Sequence, residues 1–258
     1  MSSGGLLLLD VEGTLIEHGR PLPGASYVLD AMRDQGYRIR FLTNIDSRPP
    51  DAIHDELVGI GLDLREGELF TPVTAARSLF AAHPAARVSM LLSSALRSEF
   101  ADVALAPGDM PTHALIGDCR DVLDYTALDA AFRAVRAGAE LVALQHGRYF
   151  KRPDGDHIDT GAVVAAVEYA AGVTARVLGK PSPEFFTLAA ATAGGLASGC
   201  VVVGDDATTD IEGGRAVGAH TVRVRTGKFA DQEAEGLSCL ADHVVDSIAD
   251  LPELLAQA

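Results

Sequence analysis

Four short stretches of the chain put reactive side chains where buried strands end. Leu6 to Leu9 run straight into Asp10, and Gly13 and Thr14 turn the chain just beyond it. Residues 38–44, RIRFLTN, form a second strand pattern that ends in Thr43 and Asn44. Lys180 lies in RVLGKPSPEFF, between a strand and a Ser-Pro helix start. CVVVGDDATTD is a further apolar strand that ends in Asp205 and Asp206, with Asp210 in the turn that follows. Together these groups offer the parts that phosphoryl transfer needs. A carboxylate can act as nucleophile, paired carboxylate oxygens suit Mg²⁺, and a hydroxyl and an amine can hold charged oxygens. Taken singly, such groups are more often ordinary turn residues or, for a lysine before proline, a solvated side chain. All four groups stand at strand termini, in one chain, and that joint placement points to phosphoryl transfer.

The elements around them must bring those termini to one place. A continuous apolar run as short as LLLL suits a central strand of a parallel sheet, buried on both faces. In open α/β sheets the working residues lie just past the C-terminal ends of the strands, where Asp10 stands. Residues 24–35 carry Ala25, Val28, Leu29 and Met32 at helical spacing, and the 38–43 strand follows, making a β-α-β unit. Helices are expected over 50–60, from Thr71 as N-cap with Pro72 in the first turn, and over 182–191 behind Ser182. A second α/β pattern intervenes: strands at 87–93, 112–116 and 140–146, a helix opening near Thr126, and a helix that stops at Gly172. The chain therefore divides into a core segment over 1–80, an inserted module over 81–175 and a second core segment over 176–258. Late strands at 220–225 and 242–246 precede a terminal helix capped by Asp250. In the module, His146, Arg148, Lys151 and Arg152 crowd a polar turn, readable as substrate contacts or as a solvated hairpin tip.

At 258 residues the chain has room for one large α/β domain or a core with an insertion. Its net charge of −15 argues against nucleic-acid or anionic-membrane partners held by counterion release. Cys119, Cys200 and Cys239 are scattered without metal-ligand spacing, which fits a reducing compartment. The LLLL run is too short for a secretory signal core, and no stretch approaches a membrane span. A cytoplasmic protein is expected.

The order Asp, Thr, Lys, Asp-Asp resembles the haloacid dehalogenase (HAD) superfamily, whose motifs are DxDGT, a Thr or Ser, a Lys and a GDD-type acidic loop. FLTN, LFTPVTAAR, RYFKRPDG, GKPSPEFF, GDDATTDIEGG and RTGKF look like its subfamily IIA, which carries a C2-type cap between the second and third motifs. Similar members are the phospholysine phosphohistidine inorganic pyrophosphate phosphatases and the HAD-like hydrolase domain-containing proteins. The resemblance implies a doubly wound, Rossmann-like α/β core with an inserted α/β cap. It also implies a Mg²⁺-dependent phosphatase that acts on a small phosphorylated substrate through an aspartyl-phosphate, commonly as a homodimer. On that pattern Asp10 is the nucleophile and Glu12 the general acid and base. Thr43, the Asn44 backbone N–H and Lys180 hold the phosphoryl group, and Lys180 also balances the carboxylates. Mg²⁺ would take Asp10, Asp205 and the backbone oxygen of Glu12, with Asp206 and Asp210 orienting from further out. There is one departure: Glu12 stands where the family usually has a second Asp. It keeps the carboxyl and extends it by one methylene, on the order of 1 Å of reach. A binding module that kept the fold and a phosphotransferase are competing readings; a retained nucleophile, lysine and metal carboxylate favour the hydrolase.

Overall fold

The structure, a computed structural model, describes residues 4–152, 154–237 and 240–257. The side chains of Lys151 and Arg152, two members of the polar turn, lie outside the described residues, as does Cys239. The chain forms two compact units. The first holds the residues up to Thr43, Asp51–Phe70 and Lys180 onward; the second holds Asn44–Pro50 and Thr71–Gly179.

The first unit is built on a six-stranded parallel sheet. Its order is His243–Val245, His220–Val224, Cys200–Gly204, Leu6–Asp10, Arg38–Leu42, Leu69–Phe70. The Leu6–Asp10 strand is central, and Leu7, Leu8 and Leu9 are wholly buried, because both faces of a parallel sheet are covered. From it the chain order runs outward in both directions, which makes its C-terminal end a topological switch point. The helix Ala25–Asp34 buries Ala25, Val28, Leu29 and Met32, the spacing expected of an amphipathic face. The helix Pro183–Thr192 turns Phe185 and Phe186 inward, and Phe185 meets the Phe70 ring at a centroid distance of 5.1 Å.

The second unit has its own parallel sheet, in the order Arg176–Val177, Glu140–Ala143, His113–Ile116, Val88–Leu91. Helices Tyr125–Arg136 and Thr160–Ala171 cover it, with Ala131, Val135, Val164 and Val167 packed on Ile116 and Leu141. The polar segment after Glu140–Ala143 forms the hairpin Tyr149–Arg152 and Gly155–Ile158. Thr71 caps the helix Pro72–Ala81, accepting from the Thr74 N–H at 3.2 Å.

The structure differs from the sequence expectations in three local respects. The helix Tyr125–Arg136 opens at Asp124, whose carboxylate accepts from the Ala127 N–H at 2.7 Å and displaces Thr126 as the cap. Ser182 makes no side-chain cap bond, so Pro183 starts its helix by backbone geometry alone. At the C-terminus Asp250 stands at the N-cap of the Leu251–Ala256 helix, as expected, but makes no side-chain cap bond to it; its carboxylate closes a capping box with Ser247 on the preceding turn Ile248–Asp250. The division between units also differs from the expected seam at 80/81. Pro72–Ala81 groups with the second unit because Phe80 packs edge-on against Phe100 and His113.

Candidate active site

In-register parallel strands end together, and this is what assembles the site. Asp10 is registered with Leu42 on one side, and Leu9 with Val203 on the other. Thr43 and Asp205 therefore lie one or two residues past the same sheet edge. Gly13 follows with φ +88°, where a side chain would also collide with the Asp205 carboxylate. Glycine there meets both demands, a left-handed turn and a close approach.

Three carboxylates converge at this edge. Oxygens of Asp10, Asp205 and Asp210 lie within 4.8 Å of one another, and all three residues are buried. Lys180 joins them: its Nζ donates to Oδ1 of Asp10 and, at 2.7 Å, to Oδ1 of Asp210. The Thr14 hydroxyl donates to the other Asp10 oxygen at 3.0 Å, so both nucleophile-capable oxygens are oriented. Burial raises the Asp205 and Asp210 carboxyls above the usual carboxylate range, and repulsion from Asp10 adds to the rise in both. Burial pulls the Lys180 amine down, but Asp10 and Asp210 outweigh it and hold the amine above its ordinary range. Three carboxylates crowded around one ammonium resist carrying full charge together without a further cation, and hard oxygens so placed are the donor set that Mg²⁺ takes.

Asp206 and Asp210, expected to share an outer position, are separated. The chain leaves Cys200–Gly204 through a single π-type turn, Ala207–Ile211, which swings Asp210 into the cluster. Asp206 serves the loop instead. Its Oδ1 accepts from the Thr208 N–H and hydroxyl, the Thr209 N–H and the Gln232 amide, and its Oδ2 accepts from Lys228 Nζ at 2.8 Å. Burial works against the Asp206 anion, yet Lys228 and these bonds hold its pKa well below the usual carboxylate range.

Lys228, Gln232 and Arg223 were not singled out as site residues from the sequence. The Lys228 backbone N–H donates to Asp205 Oδ2 at 2.6 Å. Arg223, fully buried, donates from Nε to the Asp205 carbonyl at 3.2 Å and lies over the Phe229 ring at 4.4 Å. Gln232 accepts from the Ala207 N–H and from Arg223. The only sequence signal was RTGKF itself, part of the family resemblance.

The remaining expected residues are placed as follows. Glu12 follows Asp10 by two residues; its side chain is open to solvent and accepts from the His18 N–H at 3.3 Å. Nearby burial and Asp10 raise its pKa, with the His18 bond opposing them. Thr43 is buried, its N–H donating to the Phe70 carbonyl at 3.3 Å. Asn44 belongs to the second unit, with its side chain against Gly179. His146 is engaged with Glu168 at 3.2 Å, and Arg148 is exposed.

A family model described as haloacid dehalogenase-like hydrolase matches residues 7–106, and one described as HAD-hydrolase-like matches residues 177–251. The phospholysine phosphohistidine inorganic pyrophosphate phosphatase of Rattus norvegicus is 31% identical over 257 residues, covering 97% of this chain and 94% of that protein. Haloacid dehalogenase-like hydrolase domain-containing protein 2 of Mus musculus is 33% identical over 249 residues, covering 94% and 95%. Among solved structures, a p-nitrophenyl phosphatase from Archaeoglobus fulgidus matches with a TM-score of 0.89 at 26% identity, covering 98% of this chain and 99% of that one. By these matches along nearly its whole length, the chain is an enzyme of the haloacid dehalogenase-like hydrolase family.

Proposed function

We propose that the protein is a Mg²⁺-dependent phosphatase that hydrolyses a small phosphorylated substrate through an aspartyl-phosphate on Asp10. One observation carries the reading: a buried carboxylate at the central strand end, oriented by Thr14 and Lys180, stands within a three-carboxylate cluster. Asp10, Asp205 and Asp210 are the side chains that would hold Mg²⁺, with the backbone oxygen of Glu12 as a further donor. Bound there, the ion would neutralise charge on the phosphoryl oxygens.

The chain's own residues supply the rest. An Asp10 oxygen attacks phosphorus while the bond to the leaving oxygen breaks, and Glu12 gives that oxygen a proton. Thr43, the Asn44 N–H and Lys180 hold the equatorial oxygens of the moving group. Glu12, now a carboxylate, takes a proton from water as the water attacks the aspartyl-phosphate, and phosphate and free Asp10 result. Relatives whose names specify phospholysine, phosphohistidine and pyrophosphate make P–N and pyrophosphate bonds candidates beside phosphomonoesters. We also assign the protein to the cytoplasm, as a homodimer. Buried Cys119 and Cys200, whose thiols burial pushes up to about 11, are compatible with that compartment. No helix among the described residues is long and apolar enough to cross a membrane.

The test is phosphate release from p-nitrophenyl phosphate, an alkyl phosphate, phosphoramidate and pyrophosphate, each with Mg²⁺ and with EDTA. Mg²⁺-dependent release from at least one of them, absent in Asp10→Asn, is expected. Release that survives EDTA, or no release from any compound, would overturn the reading.

A further inference from the structure

Asp46 is a buried carboxylate that the proposed chemistry leaves unused, and it lies two residues beyond Asn44. Only 4% of it is exposed. The Thr160 hydroxyl donates to its Oδ2 at 2.8 Å, and the Gln145 amide approaches its Oδ1 at 3.5 Å. The same amide donates to Asp159 Oδ1 at 2.8 Å, and that oxygen also accepts the Thr160 N–H, capping the helix Thr160–Ala171. The Gln145 side-chain oxygen Oε1 accepts the Gly147 N–H. Asp46 is thus fastened both to a helix N-terminus and to the loop that leaves the strand Glu140–Ala143.

Gly179, the residue before Lys180, packs against this scaffold. A Cβ on Gly179 would stand 2.7 Å from the Asn44 side-chain oxygen, 2.8 Å from the Leu144 carbonyl and 3.2 Å from the Gln145 Cβ. So the chain segment that continues from Thr43 and the segment that leads into Lys180 meet on the loop that Gln145 holds. The chain passes between its two units at both of these points.

We propose that Asp46, acting through Thr160 and Gln145, is a positioning residue that locks the segments carrying Thr43–Asn44 and Lys180. The proposal rests on the phosphatase reading, because its consequence is the alignment of the groups that hold the phosphoryl oxygens. A reacting geometry displaced by about 1 Å can lose on the order of a hundredfold in rate. A carboxylate retained in such a place is kept against a cost. Burial pushes Asp46 up to about 7, Asp159 and Asp118 add repulsion, and the Thr160 and Gln145 bonds oppose them. Arg120 pairs with Asp118 in the same unit.

Thr160→Val removes the hydroxyl donor while keeping its shape, Thr160→Ser keeps the donor, and Asp46→Ala removes the acceptor. With p-nitrophenyl phosphate and Mg²⁺, Thr160→Val and Asp46→Ala should lose roughly tenfold or more in kcat, with KM within about threefold, and Thr160→Ser should stay within about twofold of wild type. Amide hydrogen exchange should quicken at 44–46 and 178–180 in Thr160→Val but not in the helix Pro183–Thr192, with thermal unfolding as the check on folding. Unchanged kcat and exchange in Thr160→Val, or a Thr160→Ser as slow as Thr160→Val, would overturn the proposal. A wild type that releases no phosphate would count against the phosphatase reading instead, and the exchange result would then decide the latch by itself.

Discussion

Asp10 has both carboxylate oxygens engaged, one by Thr14 and one by Lys180, so its orientation is fixed before any substrate arrives. Asp10→Asn keeps the shape and removes the proposed nucleophile. Phosphate release should fall by at least about a thousandfold with thermal unfolding close to wild type; retention of a tenth of the activity would refute the covalent route. Glu12 is differently placed, open to solvent and bonded to the His18 N–H. Glu12→Gln should slow an alkyl phosphate by on the order of 10²–10⁴, because a basic leaving oxygen needs a proton. An aryl phosphate should lose less in its first step and should show a burst, since the intermediate lacks its base. Equal losses on both substrates without a burst would remove Glu12 from acid–base work.

The acidic turn is held from behind by the strand His220–Val224 and the helix Phe229–Ala234, through Arg223, Lys228 and Gln232. Gln232→Ala would leave the Ala207 N–H without its acceptor, Arg223 short of one, and Asp206 short of a donor. Each buried group left unsatisfied costs roughly 1–3 kcal/mol. Denaturant unfolding should report a loss in that range, and half-saturation by Mg²⁺ should rise several-fold as Asp205 and Asp210 loosen. A destabilised variant with unaltered Mg²⁺ dependence would show that the brace serves folding alone. Thr71→Ala offers a contrast. It removes one N-cap bond and should cost about 1 kcal/mol, with Mg²⁺ dependence untouched.

For the whole molecule, Asp46 links stability to pH. Its carboxyl titrates at 3.8 in an exposed setting and at about 7 in the fold, with burial the leading cause. Between those values the folded chain holds a proton that the unfolded chain has lost. Stability from this group is therefore complete below about pH 4 and is lost as pH climbs through 7. The full span corresponds to on the order of 4 kcal/mol. Asp46→Asn keeps an acceptor for Thr160 and cannot ionise. Its stability should fall less than that of wild type between pH 5 and pH 8, and at pH 8 it should be the more stable protein. Denaturant melts of both proteins at the two pH values are the check, and equal pH slopes would contradict it.

The strands and the residues at their ends were legible in the order of the amino acids. LLLLD and CVVVG read as short buried strands that suit a parallel sheet, and the in-register pairing of these strands with Arg38–Leu42 ends them on one edge, which brings Asp10, Thr43 and Asp205 together. Thr71 was legible as a cap because capping is a contact over three residues. Contacts between distant positions left no such trace. Asp210 entered the carboxylate cluster through a π-type turn that no periodic pattern announces. Lys228 reached Asp206 from 22 residues away, and Thr160 reached Asp46 from 114. The helix Pro72–Ala81 joined the second unit through the rings around Phe80. Strand and cap signals are local and repeat along the chain, whereas these contacts depend on how whole elements pack, and only the tertiary structure decides that.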